Sequence, residues 1–398
     1  MNELEVDRSL PTLAADGMAA RFFLSMLATA GLFYVNIMPA IVDGLIEGLA
    51  FTPQQAGYVG SANMYGAAIG ALAVVFFVRR IPWRPAAYAL LLTLIGMDLL
   101  SMLVASPEIM IGGRFVHGLV GGALVGIGFA VIARTARPDR TFGVLLVVQF
   151  GLGGLGNLYL PRLVPDFGTD VLFQSLILFS AITLAMIPFL DRYPVQTEAR
   201  KGAGPKAAVA VMPLALTLTA IFLFQAANMG LFAFIIGLGR QAMLELDFIT
   251  WTLALSGWIG IAGATLVVMM DTRFGRTVPL AVAMIFTVLG FMALHHSESA
   301  LLFLLANCGM GVTWAFIIPY LLGLAAEFDK TGQMAALGGF ASKMGLASGP
   351  VVAGLLLGGD ENYGRMINVS ALALVVCLLV VYLPAIRQDR IARRELPA

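Results

Sequence analysis

Residues 109–133 read IMIGGRFVHGLVGGALVGIGFAVIA. Apart from Arg114 and His117, every side chain in that run is apolar or absent. A helix needs about 20 such residues to cross a bilayer, and this run is long enough. It lacks the alternation of a barrel strand, so a membrane helix is the reading. Eleven further runs of the same kind flank it. Before it lie 22–42, 56–78 and 85–104, and after it 141–160, 171–190, 212–238, 248–270, 277–294, 299–325, 334–357 and 366–386.

The composition agrees. The 398 residues are 60% hydrophobic and 12% charged, against about 45–50% and about 25% in soluble domains. That excludes a soluble enzyme or a disordered scaffold. A net charge of +1 leaves no basic face for nucleic acid. Cys308 and Cys377 both lie within apolar runs and offer neither a disulfide framework nor a metal cluster, so no cofactor is expected. The first twenty residues carry Glu3, Glu5, Asp7 and Asp16 and no apolar core. The first span therefore reads as an uncleaved anchor.

Basic residues orient the spans. With twelve crossings, nineteen of the 24 Lys and Arg fall on the side of the termini. Only Arg162, Arg240 and Arg365 fall opposite, and Arg114 and Lys343 lie within spans. This bias predicts that both termini are cytoplasmic. Short loops point to a bacterial inner membrane. The polar stretch 191–211, with Lys201 and Lys206 around Gly and Pro, reads as a linker. It separates a tail (1–20) and a six-helix bundle (21–190) from a second bundle (212–386) and tail (387–398). An offset of 193 lays Arg114–Ala133 over Asn307–Ala326, Gly118 over Gly311, and Gly156 over Gly349, as an internal repeat would.

Six plus six helices with a basic central loop resemble the major facilitator superfamily of secondary transporters. Asp271, Arg273, Gly275 and Arg276, between spans eight and nine, are similar to its short cytoplasmic loop signature. The resemblance implies a gating role for them. The matching first-half loop, Arg79 to Arg84, lacks the aspartate and carries Pro82 in place of the turning glycine. Arg114, Gly118, Gly121 and Gly122 look like the family's buried-arginine motif, and Val35 to Ile41 like its first-span sequence. The resemblance implies an all-α, polytopic fold of two pseudo-symmetric bundles working by alternating access. Gly151, Gly153 and Gly156 match a dinucleotide fingerprint. Inside a membrane span without a preceding strand, they read as helix-packing residues instead.

Charges within spans are costly and usually functional. At 1.5 Å per residue, Asp98, Arg114 and His117 lie roughly 8–13 Å deep on neighbouring spans, and Lys343 about 15 Å deep. Asp98, Arg114 and His117 could form a proton-coupling cluster, or a static pair pinning two spans beside a packing histidine. Lys343 is expected at a central cavity, and its charge with that of Arg114 suggests an organic anion as solute. Tyr34, Asn36, Gln149, Asn157, Gln225, Asn228, Asn307, Trp314 and Tyr320 are the expected cavity residues, with interhelical hydrogen bonding as the alternative. The expectation is a proton-coupled, symport-type transporter, not an enzyme, acting as a monomer on a small solute. Efflux of amphipathic compounds is the second reading, and a non-transporting receptor a third.

Overall fold

The computed structural model describes residues 12–78, 80–194, 210–270, 273–328 and 333–395. It is all-helical. The first half comprises α1 (Met18–Ala30), α2 (Phe33–Asn36), α3 (Met38–Leu49), α4 (Pro53–Phe77), α5 (Trp83–Ser101), α6 (Pro107–Ile132), α7 (Pro138–Phe167) and α8 (Asp170–Met186). The second comprises α9 (Val211–Ala233), α10 (Ile235–Gln241), α11 (Leu246–Met270), α12 (Thr277–Ala293), α13 (Ala300–Ala326), α14 (Gln333–Leu357) and α15 (Tyr363–Glu395). Among the described residues, eleven helical segments are long and apolar enough to cross a membrane. The remaining crossing is the composite α1–α3.

Spans one and seven are both interrupted, which hydropathy does not reveal. Pro39 opens α3, where its missing N–H costs nothing, and Ile37 before it leaves helical geometry (φ −106°, ψ 22°). Phe234 makes the matching break between α9 and α10 (φ −109°, ψ 13°), with no proline beside it. By contrast, Pro161 and Pro165 are absorbed within α7, which runs on to Phe167. Likewise α15 continues past the apolar run to Glu395.

Glycine brings the helices into backbone contact. A Cβ on Gly66 or Gly70 of α4 would collide with the carbonyls of Phe115 or Leu119 on α6, and one on Gly118 with that of Asn63. In the second half, Gly263 meets the carbonyl of Val312, and Gly311 that of Ser256. The pairs Gly70–Leu119 and Asn63–Gly118 thus recur as Gly263–Val312 and Ser256–Gly311, each shifted by 193 positions. The internal repeat is a repeat of packing. Gly153 and Gly156 of the apparent dinucleotide fingerprint lie inside α7 against Asn36 and Ile37, so helix packing is their role.

The halves meet where α4 packs on α14 and α7 on α11. Bonds across that seam include Tyr65 with Ser348 (2.7 Å), the Val351 N–H to Ser61 (2.9 Å) and the Trp258 indole to the Gly151 carbonyl (3.3 Å). At the end opposite the termini, Arg240 grips the Asp43 carboxylate through Nε (3.1 Å) and Nη2 (3.2 Å). Beside it, Arg162 donates to Thr250 (2.8 Å) and to the Asp247 carbonyl (2.9 Å). Two cross-half clamps therefore hold that end shut.

Candidate functional site

A cavity of about 380 Å³ lies between the halves, within the usual range for small-molecule sites. From the first half it is lined by Asn36, Gln149, Phe150 and Asn157, and from the second by Gln225, Phe232, Ser256, Asn307 and Trp314. Six of the nine residues expected to line a cavity do so, and among the described residues none that lines it carries a charge. Its reach from Asn307 to Pro319 along α13 takes it from about 10 Å to about 28 Å below the clamped end. It therefore extends toward the end that bears the termini.

The polar groups are set by a web of bonds. Trp314 donates to Gln225 Oε1 (2.7 Å), and Gln225 Nε2 donates to Ser342 (2.7 Å), linking α13, α9 and α14. Asn157 Nδ2 donates to the Asn36 carbonyl (2.9 Å), exposed as an acceptor by the break after Asn36. That leaves Asn157 Oδ1 buried with no hydrogen-bond partner among the described residues. Ser256 donates to the Asn307 carbonyl (2.6 Å).

Three expected lining residues lie elsewhere. Asn228 donates to the Phe224 carbonyl of its own helix (2.8 Å) and is fully buried. Tyr320 is buried, its ring 5.0 Å from that of Phe316. Tyr34 is turned by the short α2 away from the cavity and against the charged cluster.

That cluster is closed off from the surroundings. Asp98 and Arg114 are 0% exposed and His117 is 6% exposed. Arg114 Nη1 donates to Asp98 Oδ1 (2.7 Å), and Nη2 is bonded to Ser101. His117 Nε2 lies 3.3 Å from the same carboxylate, and its Nδ1 lies 2.9 Å from Asn63 Nδ2. Asn63 Nδ2 also donates to the Arg114 carbonyl (3.2 Å). The Arg114 guanidinium sits over the Phe173 ring (4.7 Å) and the Tyr34 ring (5.8 Å). Tyr34 is buried, and its hydroxyl has no hydrogen-bond partner among the described residues. Because Val35 and Asn36 line the cavity, Tyr34 stands between the cavity and the cluster. Arg114 is thus no cavity residue in this conformation, since Asp98 and Ser101 have turned its guanidinium toward α5. The repeat sharpens the contrast, for Arg114 and His117 correspond to Asn307 and Met310, which do line the cavity.

Lys343 is half-buried on α14, one turn from the cavity residue Leu346. It has no ion pair or hydrogen bond among the described residues. Asp271 of the expected gating loop lies outside the described residues. Gly275 turns that loop with φ +68°, a conformation glycine adopts without strain. Arg276 pairs with Glu327 (2.7 Å), and its backbone N–H donates to Asp389 (2.8 Å). Arg273 makes the tight turn before it, its N–H bonded to the Met270 carbonyl (3.2 Å). Asp389, Glu327, Asn63, Ser101 and Asp43 are the interacting residues that sequence reasoning missed. Asp43 lies one residue beyond the apolar run, and the others are ordinary polar residues until the fold gives them partners.

The comparisons agree with this architecture. No curated protein matches the sequence. Among solved structures, the chain is similar to a crystal structure of a mutant of the nucleoside transporter NupG, with a TM-score of 0.71 at 13% identity, covering 92% of this chain and 98% of that one. At that identity the likeness establishes the fold. The model of the Major Facilitator Superfamily matches residues 22–350. The chain therefore belongs to the Major Facilitator Superfamily, and is a membrane transporter rather than an enzyme.

Proposed function

We propose that this transporter moves a small, uncharged, hydrogen-bonding organic solute, coupled to protons, by alternating access. The observation that carries the solute class is the lining of the cavity. It offers amides, an indole and phenyl faces, and no charge. The Asn157 oxygen, buried in the wall with no partner among the described residues, would accept from a solute N–H or O–H once a small side-chain turn exposed it. Aromatic walls with a few placed polar groups suit a heterocycle carrying hydroxyls, and the nucleoside in the solved relative's name is one such compound. With the termini cytoplasmic, as the arginine bias predicts, the conformation is inward-facing.

Proton coupling rests on the Asp98–Arg114–His117 cluster, which joins a titratable ring to an ion pair one residue removed from the cavity wall. A second reading, an organic anion, is favoured by Lys343, which lies one turn from the cavity residue Leu346 on α14 and has no ion pair among the described residues. The test is proton flux in proteoliposomes holding the purified chain, on addition of neutral heterocycles (nucleosides among them) and then of carboxylates. The proposal expects flux with a neutral compound and at least about a tenfold loss in Asn157→Ala, the cost of one buried hydrogen bond. Flux with carboxylates alone, abolished by Lys343→Ala, would overturn it in favour of the anion. Solute uptake without proton movement would overturn the coupling.

A further inference from the structure

A second pocket, of about 470 Å³, opens at the end that bears the termini. It forms where the chain leaves α4, enters α5 and passes beyond α6 and α8. Four arginines line it, namely Arg80, Arg84, Arg134 and Arg192, together with Trp83 and Tyr193. No acidic side chain among the described residues does. Asp16 and Asp191 are near, but each is turned to a backbone N–H, Asp16 to Ala136 (3.0 Å) and Asp191 to Arg192 (2.7 Å). Burial pushes the Tyr193 phenol up to about 12, so it adds no negative charge at neutral pH.

The floor of the pocket is built rather than accidental. The Trp83 indole donates to the Arg192 carbonyl (2.7 Å), Arg84 to that of Leu190, and Arg134 to that of Tyr193 (3.3 Å). Arg84 Nε is buried with no partner among the described residues. Beside the rim, the last residues of α4 form an apolar wall open to the surroundings. Val75 is 66% exposed, Phe76 73% and Phe77 56%.

We propose that this pocket binds the phosphate of an anionic lipid headgroup, with the acyl chains lying along Val75, Phe76 and Phe77. The position is that of the headgroup layer, where the spans end and Trp and Tyr are favoured. Four guanidiniums against two nearby carboxylates, neither of them lining the pocket, leave an excess of positive charge that favours an anion, and basic pockets between spans on this side take acidic headgroups. The adjoining exposed apolar wall selects a lipid over a free phosphate, since a soluble anion gains nothing from it.

The experiment is native mass spectrometry of the full chain in detergent, titrated with phosphatidylglycerol and with phosphatidylcholine of the same acyl chains. Phosphatidylglycerol should bind at least about tenfold more tightly. Each charge near the surface contributes about fivefold, so Arg80→Gln/Arg192→Gln should lower that affinity about 25-fold and leave phosphatidylcholine unaffected. Neither of those side chains makes a hydrogen bond within the described residues, so the fold should be unaffected. The pair Arg80→Lys/Arg192→Lys should keep most of the binding. Equal binding of the two lipids, or unchanged binding by the glutamine pair, would overturn the proposal. Displacement of the lipid by inorganic phosphate as readily as by excess lipid would reassign the pocket to a soluble anion.

Discussion

The two ring nitrogens of His117 are held differently, and that decides what adding a proton would do. Nδ1 accepts from the Asn63 amide, so the remaining N–H, on Nε2, faces Asp98. A second ring proton would point at the Asn63 amide donor. Asn63 cannot simply turn over, because the same amide donates to the Arg114 carbonyl, and an oxygen there would face an oxygen. Protonation of His117 would therefore break its bond to Asn63 and disturb the contact between α4 and α6, the kind of local event that the proposed coupling needs. His117→Gln should leave the solute transported but flatten its pH dependence between about pH 5 and 8. A profile identical to that of the unmodified protein would exclude His117. Arg114→Ala strands the Asp98 carboxylate in a buried site and should cost about 3–5 kcal/mol. Thermal unfolding in detergent should show part of that loss recovered when Asp98→Asn is added, and no recovery would mean the pair is not what the site depends on. Asp98, Arg114 and His117 were legible in the sequence because each violates an apolar run. Asn63 and Ser101 were not, since neutral polar residues are common in such helices and only the fold shows what they touch.

At the level of the helices, α4 and α6 are joined by backbone packed on backbone, and α11 and α13 repeat the contact. No side chain fits between them, so Gly70→Leu and Gly263→Leu should each destabilise by more than the roughly 1–3 kcal/mol of ordinary overpacking. Gly112→Ala, where a Cβ would meet nothing within 4 Å, is the control and should be silent. Equal melting temperatures for all three variants would refute close packing as the basis of the repeat. The spans themselves were readable because hydropathy is a property of each run alone. The interruption at Ile37 had a local sign in Pro39. The one at Phe234 had none, since no proline or glycine stands directly beside it, and the turn of α2 that takes Tyr34 from the cavity to the cluster likewise leaves no mark in the sequence.

For the molecule as a whole, the clamps opposite the termini close that end in this conformation. Asp43–Arg240 joins the halves through a largely buried, two-pronged bond, and opening that end must break it. In a chain with Cys308 and Cys377 replaced by serine, Leu253→Cys places a thiol at the cavity wall. Asp43→Asn should raise its labelling by an impermeant reagent from the clamped side roughly tenfold, equivalent to about 1.4 kcal/mol. Unchanged labelling would mean the bond does not set the state. The opposite end of the first half is fastened in its own way. The Leu13 N–H reaches the Phe189 carbonyl (2.8 Å), and the Tyr193 hydroxyl reaches that of Ala15 (2.7 Å). The segment before α1 and the close of the sixth crossing are thus stitched together by bonds that involve no residue of α9. During synthesis, the first six crossings can settle against one another while the later six are still being made, leaving those to fold against a surface already formed.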